Sequence, residues 1–221
     1  MLKILFIFIV IIMAPVSLWS FQNSDPKPFY GEIIYSLSTS RNKFSTTDLV
    51  QKVVFDSTRL LVDKYSASGR FSFPILILDS KDSTRKIIDH KKMTFEILEP
   101  ESNQVKNQNI VETDEFKDIL GHVCRKYIYR HDKDEIYLAK GVGYYWLATD
   151  LIMENKCTFS FMTGFRSSSS IGCGINNGIV LRIEMSDDNG NFYKAYDAIS
   201  ISEGMNSVEL FELPKTYKLI K

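Results

Sequence analysis

A thiol with an imidazole two residues before it, Cys124 after His122, is the first pair in this sequence with the makings of nucleophilic chemistry. Cysteine attacks as its thiolate, so the pair would work only where the thiol is accessible and its pKa is depressed. Residues i and i+2 of a strand share a face, but a cysteine inside a strand is equally at home as a small buried apolar side chain. His90, His122 and His131 have the chemistry to join a cysteine or carboxylate around a metal, yet they are scattered at strand ends without ligand spacing. Asp187-Asp188-Asn189-Gly190 offers oxygens without the alternation of a calcium loop, and a hairpin turn accounts for all four residues. The cluster from Arg130 to Glu135 reads as a solvated turn between strands. Gly141-Val142-Gly143 runs into Tyr144-Tyr145-Trp146 and lacks the third glycine and opening helix of a dinucleotide site. No His-Glu-x-x-His, Gly-x-Ser-x-Gly, Cys-x-x-Cys or P-loop occurs. The expectation is a non-enzymatic protein with no catalytic residue, metal site or cofactor. A Cys124-dependent hydrolase or redox protein is the rival in the enzyme class.

Aromatic side chains point to a different chemistry. The chain has 15 Phe, 11 Tyr and 2 Trp. Tyr144, Trp146, Phe159 and Phe161 cluster near an unpatterned segment, where they are expected to line or cover an apolar pocket. The alternative is that they are sheet and core residues, since strands favour aromatics anyway.

The elements that would position these residues are strands. Period-two alternation, the mark of a strand with one face toward a core, predicts strands over 31–38, 52–56, 59–65, 71–78, 85–90, 93–98, 122–130 and 178–185. Asp188-Asn189-Gly190 then predicts a tight hairpin leading into a strand over 192–201. Short helices are expected over 113–120, capped by Thr113 or Asp114 and stopped by Gly121, and over 207–211. Residues 149–174 have no steady period and read as a loop or partly helical cover. Several strands, such as Ile75-Leu76-Ile77-Leu78, are apolar on both faces. A curved sheet packed on one side and covered on the other would explain that, as would a closed sandwich.

At the N-terminus, Met1-Leu2-Lys3 precedes an apolar run from Ile4 to Leu18 that is short for a spanning helix and carries Pro15 near its end. This is the pattern of a secretory signal peptide over 1–20, followed by a flexible lead over 21–28 and one β-rich domain over 29–221. No cysteine lies near the expected cleavage point, so no lipid anchor and no permanent membrane span are expected. Lysine plus arginine number 27 against 27 acidic residues, and removing Lys3 leaves 26 against 27, a net charge of −1. That balance gives no basic excess for a nucleic-acid partner. In an oxidising compartment three cysteines permit one disulfide. Cys157 with Cys173 is the favoured pair because both lie in the irregular stretch, and it would contribute about 3 kcal/mol in a chain-entropy picture. Three buried free thiols are the open alternative.

Three segments carry a family likeness. ILGHVCRKY (119–127) with EIYLA (135–139), GIVLRIE (178–184) followed by a DNG turn, and FELPKTYKLI (211–220) resemble, in that order, segments of exported Bacteroidetes-type domains of unknown function, the DUF4412 and GLPGLI-like proteins. His122 stands where that family has tyrosine, and the Gly-Leu-Pro element expected near 174–178 lacks its proline. The resemblance implies a fold similar to the LolA and LppX group of lipid and lipoprotein carriers: mainly β with a minor α part, a curved antiparallel sheet forming an open half-barrel, and a few short helices over its concave face. It also implies a periplasmic protein, or a secreted or outer-membrane-associated one, that binds a lipid, acyl chain or lipidated partner. It transfers no binding residue. A cell-envelope interaction module acting through a sheet edge or the 149–174 loop is the alternative, and predicts a filled core.

Overall fold

Alternating side chains become one large sheet in the protein, here a computed structural model that describes residues 26–39, 49–56, 58–70, 72–79, 81, 84–98, 110–131, 141–153, 178–187, 189–204 and 208–220. The expected leader, Phe159, Phe161, Cys157 and Cys173 lie outside the described residues. The strands are β1 (Lys27–Pro28), β2 (Gly31–Thr39), β3 (Leu49–Phe55), β4 (Arg59–Ser66), β5 (Ile75–Asp79), β6 (Thr84–Asp89), β7 (Thr94–Leu98), β8 (Ile110–Ile119), β9 (His122–His131), β10 (Gly141–Ile152), β11 (Gly178–Asp187), β12 (Phe192–Glu203) and β13 (Lys218–Ile220), with a 3₁₀ turn at Val208–Phe211.

Two antiparallel meanders, β2 to β7 and β8 to β12, join where β12 pairs with β2, giving the order β13-β7-β6-β5-β4-β3-β2-β12-β11-β10-β9-β8. Among the described residues only β1 on β10 and β13 on β7 pair in parallel. Among the same residues β13 and β8 are the two ends and do not pair with each other, so the sheet is mainly antiparallel and not closed. No helix among them is long and apolar enough to cross a membrane.

The sheet curls because one face buries residues from both meanders in a single core. Ile33, Val53, Leu60, Tyr127, Tyr145, Ile183 and Tyr196 belong to one apolar cluster. The Tyr35 hydroxyl reaches from β2 past β12 and donates to the Val180 carbonyl of β11 at 2.7 Å. Side chains stand roughly perpendicular to a sheet, so that reach requires the strands to bend around the tyrosine. The carbonyl sits where β10 and β11 change register, with Trp146 opposite Arg182 but Leu147 opposite Val180. Gly31 tightens the β2–β12 seam: a Cβ there would lie 2.1 Å from the Ser202 carbonyl oxygen.

Strands apolar on both faces are explained by a second cluster on the opposite side. Val54, Leu61, Ile77 and Ile88 pack there under Phe211 of the 3₁₀ turn, with Leu213 and Tyr217 beside them. Arg59 stacks its guanidinium 4.5 Å above the Phe211 ring while pairing with Asp56, and Tyr217 hydrogen-bonds His90. The closing Phe-x-x-Pro-x-x-Tyr element thus covers the convex face of β3 to β6. Helices over the concave face, as expected from the family likeness, do not occur among the described residues.

One expected helix is corrected outright. Residues 113–120 fall in β8 and its turn: Leu120 and Gly121, with φ of 54° and 85°, form the two-residue link to β9. Positive φ at both central positions is the mark of a type I′ hairpin, and the Asp118 side chain accepts from the Gly121 N–H at 3.1 Å. Gly121 does end the segment, but as a hairpin corner. The Asp187 to Asn191 turn forms as expected, with Asp187 accepting from the Asn189 and Asn191 N–H groups at 2.9 and 2.8 Å.

Candidate functional site

Within the apolar inner face of the curl runs a row of more polar side chains. Strand register places Tyr35 of β2, Gln51 of β3 and Lys64 of β4 side by side, on the face that also presents Val53 and Phe55 to the core. Gln51 is 1% exposed, and neither its amide nitrogen nor its amide oxygen has a hydrogen-bond partner. Burying an amide unpaired costs about 1–3 kcal/mol on the scale of protein mutations. Lys64 extends its ammonium to 5.8 Å from the Tyr196 ring centroid on β12, so a cation, a carboxamide and two tyrosines converge in one part of the curl. Burial pushes the Tyr35 hydroxyl well above the usual phenol range, with the nearby Cys124 adding to the effect.

Cys124 lies in β9 with no exposed surface. Its thiol donates weakly to the His122 carbonyl at 3.5 Å, while the His122 ring is engaged elsewhere, its Nδ1 2.8 Å from Asp150 Oδ2. Burial, reinforced by Asp150 and Asp118, pushes the thiol pKa up to about 12. Both burial and shift run opposite to what a thiolate nucleophile requires. The histidines stay apart: His90 joins Tyr217 near the β6–β7 turn, His122 joins Asp150, and His131 ends β9.

Tyr144 and Trp146 flank Tyr145, which is buried in the inner core; alternation starts both toward the other face, while Trp146, half-buried, also packs against the inner cluster. There Lys126 holds its ammonium 4.8 Å from the Tyr144 ring and 5.7 Å from the Trp146 ring, and pairs with Glu115 at 2.8 Å. Next to Trp146, Arg182 pairs with Glu184 at 3.0 Å and Asp197 at 3.3 Å. The result is a half-buried strip of charges and aromatic faces across β8 to β12. Gln51 and Lys64 were not among the expected site residues, although a signal was present: in Leu49–Phe55, alternation from Val53 and Phe55 puts Gln51 on the apolar face.

The class defined by this geometry is a curled, unclosed antiparallel sheet with an apolar inner face. No family model matches the chain, and neither does any curated protein. Among solved structures it is similar to PNGF-II, at 14% identity over 83% of this chain and 30% of that one with a TM-score of 0.48. It therefore spans under a third of PNGF-II's length. It is also similar to an uncharacterized conserved protein from Thermus thermophilus, at 9% identity over 86% and 90% of the two chains with a TM-score of 0.49. A third likeness is to a protein with a YmcC-like fold from Bacteroides fragilis, at 10% identity over 80% and 98% with a TM-score of 0.35. All three TM-scores are below 0.5.

Proposed function

We propose that this is an exported, non-enzymatic binding protein of the bacterial cell envelope, periplasmic and LolA-like in its open half-barrel, that takes a lipid, acyl chain or lipidated partner against the inner face of its curl. The observation that carries the reading is an apolar inner face in a sheet whose ends, β8 and β13, are not joined to each other. Such a sheet can widen by bending at its free ends without breaking a closed ring of hydrogen bonds. An acyl chain burying ten methylenes would gain about 8 kcal/mol before the costs of binding. Those costs include parting inner side chains that already pack together, since Ile33, Val53, Leu181, Ile183 and Met185 are 0% exposed.

That same sealing favours the second reading, an envelope interaction module that works without an internal ligand. Native mass spectrometry of protein purified from an envelope fraction, with lipid extraction in parallel, separates the two. A bound amphiphile recovered in fixed ratio supports the carrier. Repeated lipid-free recovery, together with no uptake of an added fluorescent fatty acid, replaces it with the interaction module.

A further inference from the structure

We infer that the row formed by Gln51 and Lys64, facing Tyr196 inside the curl, is the headgroup end of the binding face and selects ligands carrying an acidic group, a carboxylate or a phosphate monoester. The inference rests on the carrier reading above. It starts from Gln51, which a folding core alone would replace by leucine or valine: its neighbours along the same strand face are Val53 and Phe55, it is 1% exposed, and both ends of its amide lack partners. Native cores leave few such groups, and each calls for an explanation such as strain, function or an unseen partner.

The neighbours say which partner. On one side stands Tyr35, its hydroxyl committed to Val180 at 2.7 Å and so unavailable to the amide as a donor. On the other side stands Lys64, whose ammonium lies over the Tyr196 ring at 5.8 Å. A neutral headgroup such as an ester offers acceptors only and draws little from the positive charge next to the amide. An acidic headgroup is attracted by that charge and accepts from the Gln51 amide N–H groups, contacts of the stronger, charge-assisted kind. A phosphate monoester that retains one proton also donates to the Gln51 oxygen. Apolar side chains beginning at Val53 and Phe55 then continue from the headgroup along the inner face, the order of polarity that an acyl amphiphile presents.

The experiment titrates the full mature chain by native mass spectrometry with three probes of equal chain length: a fatty acid, its methyl ester and a monoalkyl phosphate. The variants are Lys64→Met, which keeps the stem but not the charge, and Gln51→Leu, which keeps the volume but not the amide. The acid or the phosphate is expected to bind roughly 10- to 100-fold tighter than the ester, and the better of the two identifies the headgroup. Each variant is expected to bring that probe to within about twofold of the ester, as the cited contact is lost. Gln51→Leu is also expected to raise the melting temperature of the ligand-free chain, the signature of a residue kept for binding at the expense of stability. Equal binding of acid, phosphate and ester by the native chain overturns the headgroup assignment while leaving the carrier reading intact. Retention of the preference in both variants does the same. Binding of none of the three probes overturns the carrier reading, and this inference with it.

Discussion

Replacing Tyr35 with phenylalanine removes one oxygen from the interior and asks whether the bond across the curl holds the two meanders together. The ring is 1% exposed and its hydroxyl donates to the Val180 carbonyl at 2.7 Å. Phenylalanine fills nearly the same volume, so little cavity cost enters. What is lost is a buried hydrogen bond, and the Val180 carbonyl, at a register shift of the β10–β11 ladder, is left without that donor. Removing one partner of a buried pair costs about 1–3 kcal/mol, more than the net worth of the bond itself. For a domain of this size, a loss of about 2 kcal/mol lowers the melting temperature by roughly 4–8 °C. Urea unfolding followed by tryptophan fluorescence measures it directly in protein prepared without residues 1–20, where Trp146 is the one tryptophan. The midpoint should fall with an unchanged slope, since the surface exposed on unfolding is the same. Tyr144→Phe, on the half-buried outer strip, is the control and should stay within about 0.5 kcal/mol of the native chain. A Tyr35→Phe midpoint no lower than the control's would refute the claim that this bond stabilises the curl.

Three further outcomes follow from the geometry. Gly31→Ala places a Cβ 2.1 Å from the Ser202 carbonyl oxygen at the β2–β12 seam between the meanders; about 3 kcal/mol or more should be lost, and a soluble variant of native stability would show that the seam gives way easily. Cys124, buried with a thiol pKa of about 12, should escape alkylation at about pH 8, near the free-thiol pKa, in the native chain and react fully in denaturant, as read by peptide mapping; rapid native labelling would revive the thiolate reading. Asp63 has its pKa raised by burial, which Lys52 and His90 only partly oppose, so its stabilising contribution is present below the ordinary carboxyl value and lost as pH rises through the raised one. Asp63→Asn should therefore gain stability over the native chain as pH rises toward neutrality, with the gap narrowing toward pH 3.8, and a gap of opposite slope would contradict the shift.

Most strands of the sheet were legible in the sequence, whereas β8 and β10 were not, for a physical reason. β2, β4, β6, β7, β9, β11 and β12 lie within two residues of their expected bounds, and along β2 buried residues at 31, 33 and 35 alternate with half-buried ones. β8 carries no such alternation: it is exposed over most of its length, and its run of acidic residues imitates the first turn of a helix. What makes it a strand is tertiary, namely pairing to β9 and the ion pairs of Arg125 with Glu112 and Asp114 and of Lys126 with Glu115. β10 was hidden because polar and aromatic residues fall on both of its faces. The aromatic run 144–146 shows the same limit at the level of the site, since composition drew attention to all three rings while only parity separates the buried Tyr145 from Tyr144 and Trp146.

The two ends of the sheet bear on which reading of function is the stronger. A module that recruits partners through its edge offers a long, regular strand whose free N–H and C=O groups add another chain. β8 is long, but it is interrupted by a register shift between Glu112 and Phe116 and lined by Glu112, Asp114, Glu115 and Asp118, the devices by which proteins discourage pairing at an edge. β13, at the other end, is 3 residues long and is itself tied to the β6–β7 turn by the Lys218 N–H bond to the Met93 carbonyl at 3.0 Å. With both edges blunted, strand addition is the weaker route to a partner. Among the described residues, a buried amide with neither end partnered lies inside, at Gln51, where edge pairing has no use for it and a ligand headgroup does.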